Sequence, residues 1–414
     1  MPESLVPTLL APFATLEDPR IDRRKRYQLL DIIFIALCAV VSGANDCVAM
    51  EKFAKSKRAW LEKYLSLPGG TPCHDTFTRV FAAVDGEAFV ASFLKWVEAL
   101  QESTDGQLVA IDGKTARAPL DRAKGKNPLH IVSAWAAENR LFLGQEVVDD
   151  KSNEITAIPK LLAVLELTGA IVTIDAMGCQ KEIAAKIREK KADYVLAAKG
   201  NQEHLEEDVI AAFAAVDEGQ SLQTLRTYTE HAQGHGRVET RRTQVMAVPA
   251  TLRNREAWQD IATIARCTRT YTEQGVEKSE VRYFISSLPQ QVKKIARAIR
   301  GHWGIENGLH WVLDMYFAED RNRARTGNAA ANLGLLRRWV LSLLQRTESI
   351  SFMVRMMLSG LRGEDSTWLS GSGGADAPFG SSKGWPATTV SGRPTCRRGG
   401  CVSLDGAAIS RSAR

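Results

Sequence analysis

Two aspartates follow apolar, β-branched runs in nearly the same way. Leu108-Val109-Ala110-Ile111 leads into Asp112, and Ile171-Val172-Thr173-Ile174 leads into Asp175. Each is followed by a glycine within three residues, Gly113 and Gly178. Neighbouring strands of a sheet lie about 4.8 Å apart. If these two strands are adjacent, their carboxylates can share one metal site. A single Asp at a strand end is often only a turn or cap residue. Two in matching contexts favour chemistry over punctuation.

A third ligand must come from elsewhere, and the segment from Arg300 to Asp314 supplies candidates. His302, Glu306, His310 and Asp314 recur at every fourth position, which places them along one face of a helix. A solvated amphipathic face explains such a stripe equally simply. Against that, this face is rich in metal-compatible groups and lies beside Trp303 and Trp311. A zinc-dependent hydrolase using His302, Glu306 and His310 is one alternative, since zinc favours imidazole. It lacks a His-Glu-x-x-His motif and leaves Asp112 and Asp175 idle.

The elements that must position these groups fall into five stretches. Residues 1–105 read as an N-terminal helical domain, expected to bind DNA. Its helices span Tyr27 to Ala44, then Asp46 through Tyr64, with shorter ones near 75–84 and 89–100. Residues 106–222 alternate strand and helix in the order three strands, helix, strand, helix, strand, which predicts a mixed α/β sheet flanked by helices. Residues 223–288 alternate apolar and polar residues and read as a β-rich insertion. Residues 289–360 return to helix and carry Glu306. Residues 361–414 are rich in Gly, Ser, Arg and Pro, and are expected to be disordered because they bury too little apolar surface to offset chain entropy. From Gly360 onward the chain also reads like a shifted frame, which suggests a replaced C-terminus.

On these residues the chain resembles the DDE transposases of bacterial insertion sequences, in the branch that includes the H-repeat-associated proteins of Rhs elements. The resemblance runs through Pro72-Cys73-His74-Asp75-Thr76-Phe77, Ile111-Asp112-Gly113-Lys114, Ile174-Asp175-Ala176, Lys199-Gly200-Asn201-Gln202 and His302-Trp303-Gly304-Ile305-Glu306-Asn307. It implies an RNase H-like catalytic core with Asp112, Asp175 and Glu306 as catalytic and metal-binding residues, and Asp314 as a possible further ligand. The implied cofactor is Mg²⁺, with Mn²⁺ able to substitute. Hard oxygen ligands suit these ions, and two of them can activate the attacking oxygen and stabilise the leaving one in phosphoryl transfer. The implied reaction is cleavage of element ends and their transfer to target DNA, carried out by a homodimer on DNA. The 131 residues from Asp175 to Glu306 require an insertion. Many related enzymes place a Tyr and an Arg before the Glu and a Lys after it. Ile299, His302 and Leu313 stand there in this chain, so His302, His310 or Arg300 are expected to substitute in holding phosphates.

The net charge of +6 permits an acidic polymer as partner without demanding one. Residues expected to touch DNA are Arg23, Arg24, Lys25 and Arg26 ahead of the first long helix, Arg321 and Arg323 after Glu306, and Lys114 and Lys199 inside the matched motifs. Seven widely spaced cysteines without a Cys-x-x-Cys pair fit a reducing cytoplasm. The apolar run from Ile32 to Val41 is too short for a membrane span. The remaining alternative is an inactive transposase relic that only binds DNA.

Overall fold

The computed structural model describes residues 9–100, 105–115, 130–148, 154–200, 202, 204–234, 237–273, 276–324 and 326–345. The expected disordered tail, 361–414, lies outside them. The N-terminal helices are α1 (Leu29–Val41), α2 (Cys47–Ser56), α3 (Arg58–Leu61), α4 (His74–Ala83) and α5 (Gly86–Leu100). Helix α1 is buried along almost its whole length, which explains why it has no polar face. Asp46 caps α2 by accepting the Ala49 N–H at 2.8 Å. The single helix expected through Tyr64 is two: Lys57 leaves helical geometry and separates α2 from α3. Among the described residues no helix is long and apolar enough to cross a membrane.

The sheet contains β1 (Leu108–Thr115), β2 (His130–Ala136), β3 (Leu141–Val148), β4 (Ile171–Ile174) and β5 (Asp193–Ala198), with α6 (Glu154–Val164) and α7 (Lys181–Glu189) between strands. Helix α8 (Leu205–Asp217), absent from the sequence expectation, follows β5. Its first turn carries Glu206, Glu207 and Asp208, which favour the positive end of a helix dipole. Four long strands then follow: β6 (Arg226–Gly234), β7 (Arg237–Ala247), β8 (Thr263–Glu273) and β9 (Val276–Ser286). The spatial order is β3-β2-β1-β4-β5-β9-β8-β7-β6. Strand β1 is antiparallel to β2 and parallel to β4, and β4 is parallel to β5. That five-stranded core is the RNase H-like mixed sheet. The β-rich insertion extends it, because β9 pairs antiparallel with β5 from Val195–Ser286 to Ala198–Tyr283.

The chain returns through α9 (Val292–His302), a π-helical turn at Glu306–His310, α10 (Trp311–Met315) and finally α11 (Ala329–Gln345). Gly301 sits inside α9, where an added Cβ would collide with Leu108 at the start of β1. The N-terminal helices and the sheet share one core around α11. Phe13 stacks on Trp339 at 4.4 Å, and Phe93 meets Phe142 of β3 at 5.4 Å. The change of character near residue 105 is therefore a change of secondary structure within a continuous core.

Candidate active site

The last register pair between β1 and β4 is Ile111 with Ile174. The next residues on each chain are Asp112 and Asp175, so parallel pairing brings the two carboxylates to adjacent positions on the same edge. Strand β1 does not end at Asp112, as the following Gly113 suggests. It continues to Thr115, with Asp112 opposite Ser133 of β2. Asp112 is thus held within the ladder, whereas β4 stops at Ile174 and Asp175 opens a turn. Asp175 Oδ1 accepts the Met177 N–H at 3.1 Å and the Gly178 N–H at 3.4 Å. The turn role and the site position coexist in this one side chain.

Glu306 is exposed at the start of the π-helical turn. Single-turn π segments recur at functional sites because they re-aim side chains. Here the segment breaks the regular four-residue spacing expected from His302 to Asp314. The Asp112 carboxyl is pushed up to about 8, first by burial and then by the charges of Asp175, Glu154 and Glu306. Asp175 is also raised, chiefly by burial, while backbone N–H groups and Lys199 oppose the shift. Crowded carboxylates with raised proton affinity are what a divalent cation would relieve, and their oxygens are the donors Mg²⁺ prefers. Among the described residues no three acidic, His or Cys side chains stand close enough to hold an ion as they are placed.

Asp314 and Lys114 belong to a different arrangement. Lys114, on β1 two residues past Asp112, contacts Asp314 at 2.5 Å and Glu319 at 2.8 Å. Glu319 also binds Arg338 of α11 at 2.5 Å. The side chains of Lys114, Glu319 and Arg338 are 8%, 5% and 0% exposed. Asp314 thus ties its helix to β1, and Glu306 stands exposed in the preceding π-helical turn. A DNA phosphate would have to open this cluster to reach Lys114.

His302 Nδ1 lies 3.1 Å from Thr173 Oγ1 on β4. Burial pushes its pKa down to about 4. His310 Nδ1 lies 3.6 Å from Asp112 Oδ2, and burial followed by Arg338 and Lys114 pushes its pKa down to about 3. Burial thus disfavours the cationic form of both imidazoles. Nor do His302, Glu306 and His310 converge as a zinc trio. Arg300 is bound to Glu230 on β6 at 3.0 Å, clasping the insertion to α9. Lys199 is exposed at the end of β5. Arg23, Arg26, Arg321 and Arg323 are exposed, and Lys25 is paired with Asp22 at 2.7 Å. Arg24 lies in the short 3-10 helix Asp22–Arg24.

Two groups escaped the sequence reading. Glu154 opens α6 with its Oε1 2.7 Å from His130 Nε2. Glu319 lies buried between two cations. Adjacent Arg337 and Arg338 inside a Leu-rich helix were the available signal for the second, since buried arginines require buried anions.

The Transposase DDE domain model matches residues 103–343, and the DDE_Tnp_1-associated model matches residues 10–97. The chain belongs to the DDE transposase family. YncI of Escherichia coli O157:H7 is 40% identical over 354 residues, covering 83% of this chain and 89% of that protein. The H repeat-associated YhhI of Escherichia coli (strain K12) is 35% identical over 346 residues, covering 81% and 90%. Both carry transposase names. In this DDE transposase the DDE-domain match begins just before β1 and ends within α11. It therefore spans Asp112, Asp175, Glu306 and the Lys114–Glu319–Arg338 cluster.

Proposed function

We propose that this DDE transposase cuts the ends of an insertion sequence and joins them to target DNA, using Asp112, Asp175 and Glu306 to hold Mg²⁺ or Mn²⁺. The position of Asp112 and Asp175 one residue past the last β1–β4 register pair, with the Glu306 charge acting on Asp112, carries this reading. Bound divalent ions would supply charge stabilisation for both the attacking and the leaving oxygen. Asp112 is fixed by its ladder pairing with Ser133 of β2. Asp175 is oriented by the N–H groups of its own turn, and Glu306 is presented by the π-helical turn. Together they orient oxygens at the strand edge and need no covalent protein–DNA intermediate. Lys199, Arg321 and Arg323 are exposed cations suited to the DNA backbone, with Arg23 and Arg26 extending that role to the N-terminal helices. A homodimer on paired element ends is part of this proposal.

The test is Mn²⁺-dependent cleavage and joining of element-end DNA. Wild type should act and Asp112→Ala should fall to background. Equal activity in the two would sink the reading, and binding without cleavage by wild type would establish a DNA-binding relic instead. The joint variant Arg321→Ala, Arg323→Ala should weaken DNA binding and reduce the steepness of its salt dependence by up to about 2 in log–log slope. An unchanged slope would remove these arginines from the DNA contact.

A further inference from the structure

Side chains alternate between the faces of a strand, so Asp112 and Lys114 point to one face of β1 and Gly113 to the other. Lys114 meets Asp314, which places the helices carrying Glu306 on the first face. On the second face, the space where a Gly113 side chain would stand is filled by the tips of Glu154 and His130. The Glu154 carboxylate comes from the first turn of α6, and His130 from the start of β2. His130 is itself braced by Thr115, whose Oγ1 lies 2.7 Å from its Nδ1. Its Nε2 lies 2.7 Å from Glu154 Oε1, so the ring and the carboxylate meet beside Gly113. Across the strand, His310 stands 3.6 Å from Asp112 with its Nε2 buried and unpartnered among the described residues. The strand edge is therefore approached by polar groups from both sheet faces.

We propose that Glu154 is a fourth acidic group of the active site, an oxygen ligand for a divalent ion, admitted from the opposite sheet face because residue 113 has no side chain. The inference rests on the metal-dependent reading of Asp112 and Asp175. A helix N-terminus accommodates an acidic residue for dipole reasons alone, and that would explain a Glu at position 154. It would not explain the contact with Gly113 and His130 beside Asp112. The Glu154 charge also acts on both Asp112 and Asp175.

The experiment measures Mn²⁺ affinity of the full, DNA-free chain by electron paramagnetic resonance, with folding checked by circular dichroism. Glu154→Gln should weaken Mn²⁺ binding about tenfold or more, as loss of groups supporting a metal site commonly does. Gly113→Ala should do the same with the carboxylate intact. The atoms nearest its Cβ would be the ends of the Glu154 and His130 side chains and not backbone, so the added methyl displaces side chains first. If Glu154→Gln and Gly113→Ala both bind within twofold of wild type while Asp112→Asn binds poorly, Glu154 is only a helix-end residue and the proposal falls alone. If Asp112→Asn also binds like wild type, the metal-dependent reading falls with it. Should Glu154→Gln fail to fold, Gly113→Ala and Glu154→Asp decide the matter by the same affinity.

Discussion

Asp112→Asn should abolish cleavage and, in chelator at pH 8, make the metal-free protein more stable than wild type. In the folded chain burial and then the neighbouring carboxylates push Asp112 up to about 8, against an ordinary value of 3.8. Between these values the folded state holds a proton that the unfolded state has released. Unfolding therefore grows more favourable as pH rises through that window, and the stability that protonated Asp112 confers at low pH is lost by about pH 8. A full shift of this size would amount to several kcal/mol. Relaxation of the partly open cluster reduces it to roughly 2–4 kcal/mol. Asparagine keeps the shape, carries no charge and has no such pH dependence. Chemical denaturation of both proteins at pH 5 and pH 8 measures the difference directly. Added Mn²⁺ should reverse the order at pH 8, because an ion that binds the folded, ionised site stabilises wild type by mass action and Asp112→Asn far less. Parallel stability–pH curves for the two proteins would show that Asp112 is not under this strain.

The core strands were legible because β1, β4 and β5 are short apolar runs buried on both faces, a pattern that survives without knowledge of their partners. Their adjacency was not legible, since register depends on pairing across 63 residues between Asp112 and Asp175. The reading of β1 as ending at Asp112 failed because Gly113 looks like punctuation. The ladder with β2 keeps it extended, and its missing side chain admits Glu154. The four-residue stripe from His302 to Asp314 assumed a regular helix. The π turn at Glu306–His310 is a hydrogen-bonding choice that residue types alone do not specify. His302 and His310 looked like an exposed polar face and are instead enclosed, His302 by Thr173 of β4 and His310 beside Asp112 of β1. Lys114 next to Asp112 resembled a phosphate ligand. Its partners Asp314 and Glu319 lie two hundred and more residues away, beyond any local pattern.

Glu319→Ala should be the most damaging single change to the fold, costing about 3–5 kcal/mol. Burial by itself would raise the Glu319 carboxyl, but Arg338 and Lys114 outweigh it and hold it at about 2. Its contribution is therefore present at pH values above its ordinary 4.5 and is lost only as pH falls towards about 2. Removing the carboxylate leaves the buried Arg338 without its carboxylate partner and Lys114 with Asp314 alone. Alanine also vacates the space between β1, the segment after α10, and α11. Because Lys114 shares the strand of Asp112, and Asp314 shares the helical segment of Glu306, the same change should loosen the spacing between these two site residues and depress cleavage more than the stability loss alone predicts. The control is the joint variant Lys114→Met, Glu319→Leu, Arg338→Met, which removes every charge of the trio and fills the volume with apolar atoms. It should recover most of the denaturation midpoint lost in Glu319→Ala, since a buried ion cluster can be replaced by packed hydrophobic groups at little net cost. Cleavage should remain impaired in that variant, because nothing then ties Asp314 to β1. A loss of under 1 kcal/mol in Glu319→Ala, or full activity in the apolar triple variant, would show that the cluster neither holds the fold nor sets the distance between Asp112 and Glu306.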